Sequence, residues 1–245
     1  MNKGFDVYTD FSDKVVIQKS NLKNFIKKTI LSRKKYNKFF NGYIGFFSYE
    51  LCCELIGVKI PNQQSNNFYK SIFYKPQTVI KIRRNIRIQS ILSNFKSLDN
   101  LKKSKKKYVY QKKFKVNLSL NQYSKLFDKF IKKIKRGETY QIKICQKYRN
   151  NSRIDPIRFF WNLMKINKSP ESFVIRDLDY SIVSCSPETL IEKKNNMIAT
   201  KPIAGTLKKT SRTSIHKAKI YFQNNEKESK EHNMIVDMER NDLSR

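Results

Sequence analysis

Acidic residues are scarce in this sequence, and long apolar runs are missing from it. Lys and Arg total 52 against 20 Asp and Glu, so the formal net charge is +32. A membrane-spanning helix needs about 18 or more apolar residues in succession, and no such run occurs. The opening residues, MNKGFDVYTD, carry acids where a secretory signal peptide requires an apolar stretch. The sequence therefore predicts no membrane association, and we expect a cytoplasmic protein.

Motifs for zinc and for nucleotides are missing as well. No two of the four cysteines have a spacing such as C-x2-C that would hold zinc; they are Cys52, Cys53, Cys145 and Cys185. Neither G-x-G-x-x-G nor G-x4-G-K-S/T occurs, and the chain has only 6 glycines. We expect buried thiols in a reducing compartment, and neither a dinucleotide-binding nor a P-loop fold.

The excess of lysine does not by itself indicate a nucleic-acid partner. Lysine recurs in predicted helices, strands and loops alike, beside many Asn and Ile, as in the compositional drift that an AT-rich genome produces. A nucleic-acid interface concentrates its basic residues on one face or stripe. Hydrophobic residues make up 39% of the chain and aromatic residues 13%, enough for a packed core. We expect a folded protein without a nucleic-acid partner.

A lysine-dense stretch divides the chain into two parts. Residues 102–115 are predicted to form a basic linker between an N-terminal part, 1–101, and a larger part, 116–245. Hydrophobic periodicity assigns these elements to the N-terminal part: two short strands around an Asp/Ser turn within 5–17, a basic helix over 21–40, an aromatic strand-like segment opened by Gly42 and Gly45, and strands from Ser71 separated by turns at Pro76 and at 83–85.

The larger part opens with an amphipathic helix that ends at Gly137. Its apolar face consists of Tyr123, Leu126, Phe127, Phe130, Ile131 and Ile134. Beyond it, Tyr140, Ile142 and Ile144 alternate with polar residues, which predicts a strand with one buried face. Gln141 then lies just after a helix-to-strand turn, where polar side chains often meet ligands; the alternative is a solvated side chain.

The rest of this part is predicted to mix helix and antiparallel strands. Asp155 and Pro156 suit an N-cap followed by proline at the first helical position. Residues 171–209 then indicate three antiparallel strands, with turns near 178–179 and 195–196. The predicted fold class is α+β with a mainly antiparallel sheet.

Three short segments could carry chemistry. Ser186-Pro187-Glu188 places a carboxylate at a strand end beside a rigid proline. Residues 202–206, P-I-A-G-T, form a turn whose glycine lets backbone approach a ligand. Glu228 and Glu231 stand three apart on a predicted helix and share one face. Taken singly, each segment has a structural explanation: a cap, an ordinary turn and a solvated pair of acids.

In their order, these segments closely resemble the chorismate-utilising enzymes: anthranilate synthase component I, aminodeoxychorismate synthase component I, and their isochorismate and salicylate synthase relatives. The resemblance covers most of residues 42–245, from GYIGFFSYEL through IKRGETYQIKICQ, SCSPETL and TKPIAGT to KESKEHNMIVDMERNDLSR. It implies an α+β fold of two layered, mainly antiparallel sheets flanked by helices.

The resemblance also implies roles for single residues. Glu231, aided by Glu228, would hold a Mg²⁺ that binds the ring carboxylate of chorismate, since Mg²⁺ prefers a few carboxylates plus waters and substrate oxygens. Glu188 would be the catalytic general acid that protonates the departing 4-hydroxyl group. Gly205 and Thr206 would contact a substrate carboxylate.

Two further substrate-binding positions separate the branches of the family. Water-using members have a lysine general base at the position of Gln141, and glutamine cannot take a proton from water at neutral pH. Aminodeoxychorismate synthases often have a nucleophilic lysine at the position of Ala204, and alanine cannot add to the ring. The resemblance therefore favours direct attack by ammonia and loss of pyruvate to give anthranilate, for tryptophan biosynthesis. A glutamine amidotransferase subunit would supply the ammonia.

Other features favour aminodeoxychorismate synthase component I, which serves p-aminobenzoate and folate synthesis. These are the FDVYTD start, the SYEL core, the RNDLSR ending and the lack of a Leu-Leu-Glu-Ser segment. Family members also continue beyond R-N-D-L through a histidine motif, substrate loops and a second metal-binding glutamate. We therefore expect a C-terminally truncated chain that does not turn over chorismate alone; the further alternative is an inactive remnant.

Overall fold

The computed structural model describes residues 4–32, 40, 42–60, 71–92, 109–110, 113–211 and 213–244. The chain divides into two compact units: the N-terminal unit, Met1–Ser104, and the C-terminal unit, Lys105–Arg245. Most of the predicted linker, 102–115, lies outside the described residues.

A long central strand organises the N-terminal unit. Strand β3 (Ser71–Ile82) pairs along its length with β1 (Phe5–Val16). Its other edge pairs with β2 (Ile44–Phe47) and β4 (Ile86–Ser90), and every pairing is antiparallel. β3 therefore has paired edges on both sides, which places its side chains at the centre of the unit.

Two turns predicted in this unit are wrong, because both segments continue as single strands. β1 runs through the expected Asp/Ser turn, with an irregularity between Phe11 and Asp13 and a positive φ of 55° at Asp10. β3 runs through Pro76, whose partner is Phe11 at that irregularity. Proline has no N–H to donate to a sheet and is tolerated where pairing is irregular, so the two features occur together.

Two helices cover part of the sheet. Helix α1 spans Lys19–Ser32 and confirms the start of the predicted basic helix, of which 33–39 lie outside the described residues. The strand-like segment from Gly42 is strand only over β2, since the Ser48 hydroxyl accepts from the Leu51 N–H at 3.2 Å and begins helix α2 (Tyr49–Leu55). The core cluster consists of Ile17, Phe25 and Leu51, with Val15, Leu22, Tyr43 and Phe73 packed against it.

The first helix of the C-terminal unit is confirmed, but the strand after it is not. Helix α3 (Leu120–Lys135) begins with a capping box between Ser119 and Gln122. The segment 140–145, where the alternation predicts a strand, pairs with no strand among the described residues. Ordered pairing begins only at β6 (Tyr148–Arg149), which pairs with β5 (Lys115–Val116). The alternation of residue types alone therefore did not produce a strand.

A helix packed on a hairpin follows. Asp155 caps helix α4 (Pro156–Ile166) by accepting from two backbone N–H groups, as the sequence predicts. The helix contacts both strands of the hairpin formed by β7 (Glu171–Arg176) and β8 (Ser181–Ser186). Phe160 on α4 is buried.

The three strands predicted within 171–209 are four, arranged as two hairpins. The second hairpin joins β9 (Glu192–Lys194) to β10 (Met197–Ala199). Both predicted turns are confirmed, and Asn195 has a positive φ of 54° in the second. Helices α5 (Ile215–Asn224) and α6 (Glu226–Leu243) pack against each other after it.

All strand pairs of the described residues are antiparallel, so the predicted α+β class is confirmed. The predicted burial of all four thiols is wrong. Cys53 is buried, but its neighbour Cys52 points away on α2 and is exposed, and Cys145 is exposed in the segment that forms no strand. None of the helices in the described ranges has the length and apolar character to cross a membrane.

Candidate functional site

The start of α6 carries the two glutamates predicted to bind metal. Asn225 caps the helix, and its Oδ1 accepts from the Glu228 N–H at 3.2 Å. Glu228 is half-buried, whereas Glu231, one turn later on the same face, is exposed. A carboxylate in the first turn of a helix interacts favourably with the helix dipole, which suits the placement of Glu228.

The P-I-A-G-T segment lies directly against Glu228. Gly205 has a φ of +69°, in the left-handed region that favours glycine. A Cβ added at Gly205 would collide with Glu228 Oε2 and would come within 3.0 Å of Phe222 Cε1. Glycine is therefore required at this position for two reasons: its backbone conformation and the close approach of the carboxylate.

Glu188 contacts the same segment from another side. It follows the end of β8, where its backbone N–H donates to the Ser186 hydroxyl at 3.4 Å. Its Oε1 accepts from the Ile203 N–H at 2.9 Å. Its Oε2 has no hydrogen-bond partner within the part of the chain that the structure describes. Glu188 is half-buried, and the hydrogen bond to Oε1 holds its carboxylate against Ile203, the residue before Ala204.

The structure therefore brings four of the predicted site residues to one segment. Glu188 and Glu228 both contact residues 203–205, and Ala204 and Gly205 lie between them. The neighbouring Thr206 is exposed.

Gln141 and Glu231 are not joined to this segment by any contact among the described residues. Gln141 lies exposed in the irregular stretch after α3, where its carbonyl accepts from the Thr139 hydroxyl at 3.1 Å. Its expected place on a strand beside the site is not observed.

Two pairs that sequence reasoning missed also tie down the segment. The Thr200 hydroxyl donates to the carboxylate of Glu239, which lies further along α6. Lys201 Nζ lies 2.7 Å from Glu192 Oε2 on β9. Helical spacing could have indicated the first pair, since Glu228 and Glu239 are three turns apart and share a face.

The charges of the second pair perturb each other. The hydrogen bond from Lys201, followed by its positive charge, holds the pKa of Glu192 below its usual value. The same contact raises the pKa of Lys201. Both side chains are exposed, so water and salt weaken the interaction.

The donor set is compatible with Mg²⁺ but does not form a cage. Nowhere in the described ranges do three or more His, Cys, Asp or Glu side chains converge on one point. Mg²⁺ is commonly bound by one or two carboxylates, with waters and substrate oxygens completing its octahedron. Glu228 and Glu231, on one face of α6, supply such a pair.

Known proteins resemble this chain in sequence and in fold. Residues 4–245 match a family model described as chorismate binding enzyme. Anthranilate synthase component 1 of Saccharolobus solfataricus is 26% identical over 211 residues, which are 84% of this chain and 49% of that protein. Aminodeoxychorismate synthase component 1 of Bacillus subtilis is 32% identical over 124 residues, which are 50% of this chain and 26% of that protein.

A solved structure shows the same fold. The crystal structure of anthranilate synthase component I from Streptococcus pneumoniae matches with a TM-score of 0.76 at 19% identity, over 98% of this chain and 61% of that chain. The chain thus spans about half the length, or less, of these curated relatives.

Proposed function

We propose, because this chain belongs to the family of chorismate binding enzymes, that it forms part of the large subunit of a chorismate aminase. The proposed reaction converts chorismate and ammonia to anthranilate, pyruvate and water. The observation that carries the proposal is the position of residues 203–205, which lie between the carboxylates of Glu188 and Glu228.

Glu188 is the proposed general acid. Hydroxide is a poor leaving group, so the 4-hydroxyl of chorismate must receive a proton as its C–O bond breaks and water leaves. The Ile203 N–H fixes one oxygen of Glu188. The other oxygen, Oε2, is the one we assign to carry that proton to the substrate.

The metal side of the site consists of Glu231 and Glu228. A bound Mg²⁺ would neutralise the ring carboxylate of the substrate while keeping most of its coordination in waters and substrate oxygens. Glu231 is exposed and can reach a ligand, whereas Glu228 is held against Gly205. Glu231 is therefore the main proposed ligand and Glu228 its neighbour, with Gly205 and Thr206 contacting the substrate carboxylate.

Two side chains favour ammonia as the nucleophile. Ala204 has no group that could add to the ring, so the amine nitrogen must come from solution or from a partner. Gln141 cannot act as a base toward water. This reasoning depends on the type of residue and not on its position, since Gln141 has no contact with residues 203–205 in the described part of this structure. Ammonia forms the new C–N bond next to the ring carboxylate, and loss of the enolpyruvyl group as pyruvate makes the ring aromatic.

A glutamine amidotransferase subunit is the proposed source of ammonia. Because the chain spans about half the length of its relatives, we also propose that turnover needs residues from the remaining part of the fold. The chain by itself is then expected to bind chorismate without producing anthranilate. The free thiols are compatible with a reducing compartment, and we place the protein in the cytoplasm.

Calorimetric titration of the chain with chorismate, with and without Mg²⁺, tests the proposal. We expect Mg²⁺ to tighten binding, and Glu231→Gln to remove this Mg²⁺ dependence because it removes a charged oxygen ligand. Glu226→Gln is the matched control, since Glu226 lies on the same helix and pairs with Lys230 in solvent. Absence of Mg²⁺-dependent binding by the unmodified chain would contradict the proposal.

Aminodeoxychorismate synthase component I is the second candidate, favoured by the match to the Bacillus subtilis protein. Product identification separates the two functions once the chain is combined with a polypeptide carrying the remaining part of the fold. Fluorescence and chromatography distinguish anthranilate from aminodeoxychorismate. An Ala204→Lys variant should shift the product toward aminodeoxychorismate, and an unchanged product would show that Ala204 does not set the outcome.

A further inference from the structure

The segment 200–205 touches α6 at both of its ends. At one end, the Thr200 hydroxyl donates to Glu239, and both residues are half-buried. At the other end, Gly205 lies against the carboxylate of Glu228. The segment therefore runs antiparallel to the helix, from its C-terminal half back to its first turn.

The lengths of segment and helix match. Glu228 and Glu239 are eleven residues apart, which on an α-helix corresponds to roughly 16 Å. Thr200 and Gly205 are five residues apart, and an extended chain of that length reaches roughly 16–18 Å. A segment of this length is therefore long enough to run from Glu239 back to Glu228.

We propose that Thr200 and Glu239 are positioning residues that set the register of the P-I-A-G-T segment on α6. With Thr200 fixed at Glu239, the Ile203 N–H points to Glu188 and Gly205 meets Glu228. Neither residue touches the reacting atoms. Their role in chorismate binding rests on the proposed function, whereas their control of the segment's register does not.

Lys201 does not perform the same task. Its partner Glu192 lies on the β9–β10 hairpin, and both side chains are exposed. The Thr200 hydrogen bond joins two half-buried residues, Glu239 on α6 and Thr200 two residues before the P-I-A-G-T segment. It is therefore the contact that decides which backbone N–H faces Glu188.

Hydrogen exchange of the Ile203 amide is the direct measurement. Thr200→Val keeps the shape of the side chain but removes the hydroxyl, and we expect exchange at Ile203 to become about tenfold faster, the size that loss of one hydrogen bond gives. Thr200→Ser keeps the hydroxyl and should restore the wild-type rate. Thr210→Val, the same change outside the motif, is the control and should leave the Ile203 rate unchanged.

Two results would overturn the inference: an unchanged Ile203 rate in Thr200→Val, or equal acceleration in Thr200→Val and Thr210→Val. Chorismate titration with Mg²⁺ then separates the two proposals. If both stand, Thr200→Val weakens chorismate binding and Thr200→Ser restores it. If the exchange rates behave as expected but the unmodified chain binds no chorismate, the register role stands and the proposed function fails.

Discussion

The two units differ in where they put their apolar side chains. The N-terminal unit buries a set of large side chains: Ile17, Phe25, Leu51, Ile72, Tyr74, Val79 and Ile80. In the described part of the C-terminal unit, Phe160 is the one large apolar residue that is buried. Yet the C-terminal unit holds every residue of the candidate site. Stability and chemistry are thus concentrated in different parts of the sequence.

Strand pairing explains the difference. β3 has neighbours along both edges, so its side chains lie within a wide sheet covered by α1 and α2. Each sheet in the described C-terminal residues has two strands. A two-stranded hairpin is only marginally stable without further packing, and α4 supplies that packing for β7–β8 alone.

The largest expected effect is the decrease in stability of the N-terminal unit in the Leu51→Ala variant. Leu51 is 0% exposed in the Ile17–Phe25–Leu51 cluster, and a fully buried Leu→Ala change leaves a cavity and costs about 4 kcal/mol. Hydrogen exchange of β3 amides across a urea titration measures the stability of the N-terminal unit separately from that of the C-terminal unit. Leu55→Ala on the same helix, where Leu55 is 39% exposed, should cost much less, and equal losses would refute the burial argument.

A smaller loss is expected for Phe160→Ala in the C-terminal unit. Phe160 is 5% exposed, but its surroundings are half-exposed and can partly collapse, so we expect about 3 kcal/mol, at the low end for a buried aromatic. Trp161, the single tryptophan, lies next to it and reports unfolding of this unit by fluorescence. Phe159→Ala is the matched control because Phe159 is 44% exposed. A larger loss than in Leu51→Ala would reverse the comparison.

What could be predicted from the sequence follows the same division. Helices are specified locally, so the spacing of apolar residues predicts α3, and Asp155 followed by Pro156 predicts the start of α4. Strands depend on partners distant in sequence. Alternation at 140–145 produced no pairing among the described residues. Local sequence predicts a turn at Pro76, because its partner Phe11 lies at an irregularity 65 residues away.

The candidate site shows the same limit. The motif order identified Glu188, Gly205 and Glu228, and the structure brings these residues to one segment. The pair Thr200–Glu239 has no motif of its own, since it depends on how the segment lies along α6. The residues proposed to act could be named from the sequence, whereas the contact proposed to hold them in register could not.

The next prediction concerns a half-buried carboxylate in the N-terminal unit. Burial raises the pKa of Asp13, but hydrogen bonds from the Tyr43 hydroxyl at 2.9 Å and the Lys28 ammonium at 3.2 Å outweigh this and hold that pKa below its usual value. A lowered pKa in the folded state contributes stability above the unfolded pKa, and this contribution is lost as pH falls through the folded value. The Asp13 contribution is therefore present above about pH 4 and lost below it.

Tyr43→Phe should remove part of this contribution. We expect a loss of roughly 1 kcal/mol at pH 7, the usual value for one hydrogen bond. The difference from wild type should shrink as pH falls through the folded pKa of Asp13 and the carboxyl is protonated. Urea titrations followed by β3 amide exchange, at pH 7 and at a series of acidic pH values, check this. A difference that stays constant with pH would mean that the tyrosine acts through packing rather than through the carboxylate.

The smallest effect is expected for the corresponding carboxylate of the C-terminal unit. Glu192 also has a lowered pKa, because of the hydrogen bond and then the charge of Lys201. In Lys201→Met that pKa should rise, which NMR titration of the Glu192 carboxyl measures. Lys194→Met, which removes a weaker charge effect on the same group, should raise it less.

As for Asp13, a lowered pKa in the folded state means that Glu192 contributes stability at pH values above its unfolded pKa. This stability would be lost on acidification. Both partners are exposed, however, and an exposed ion pair is screened and offset by the entropy of holding two long side chains. The unfolding midpoint of Trp161 fluorescence should therefore not change measurably in Lys201→Met at pH 7. A clear decrease would show that the C-terminal unit depends on surface charge where the N-terminal unit depends on its core.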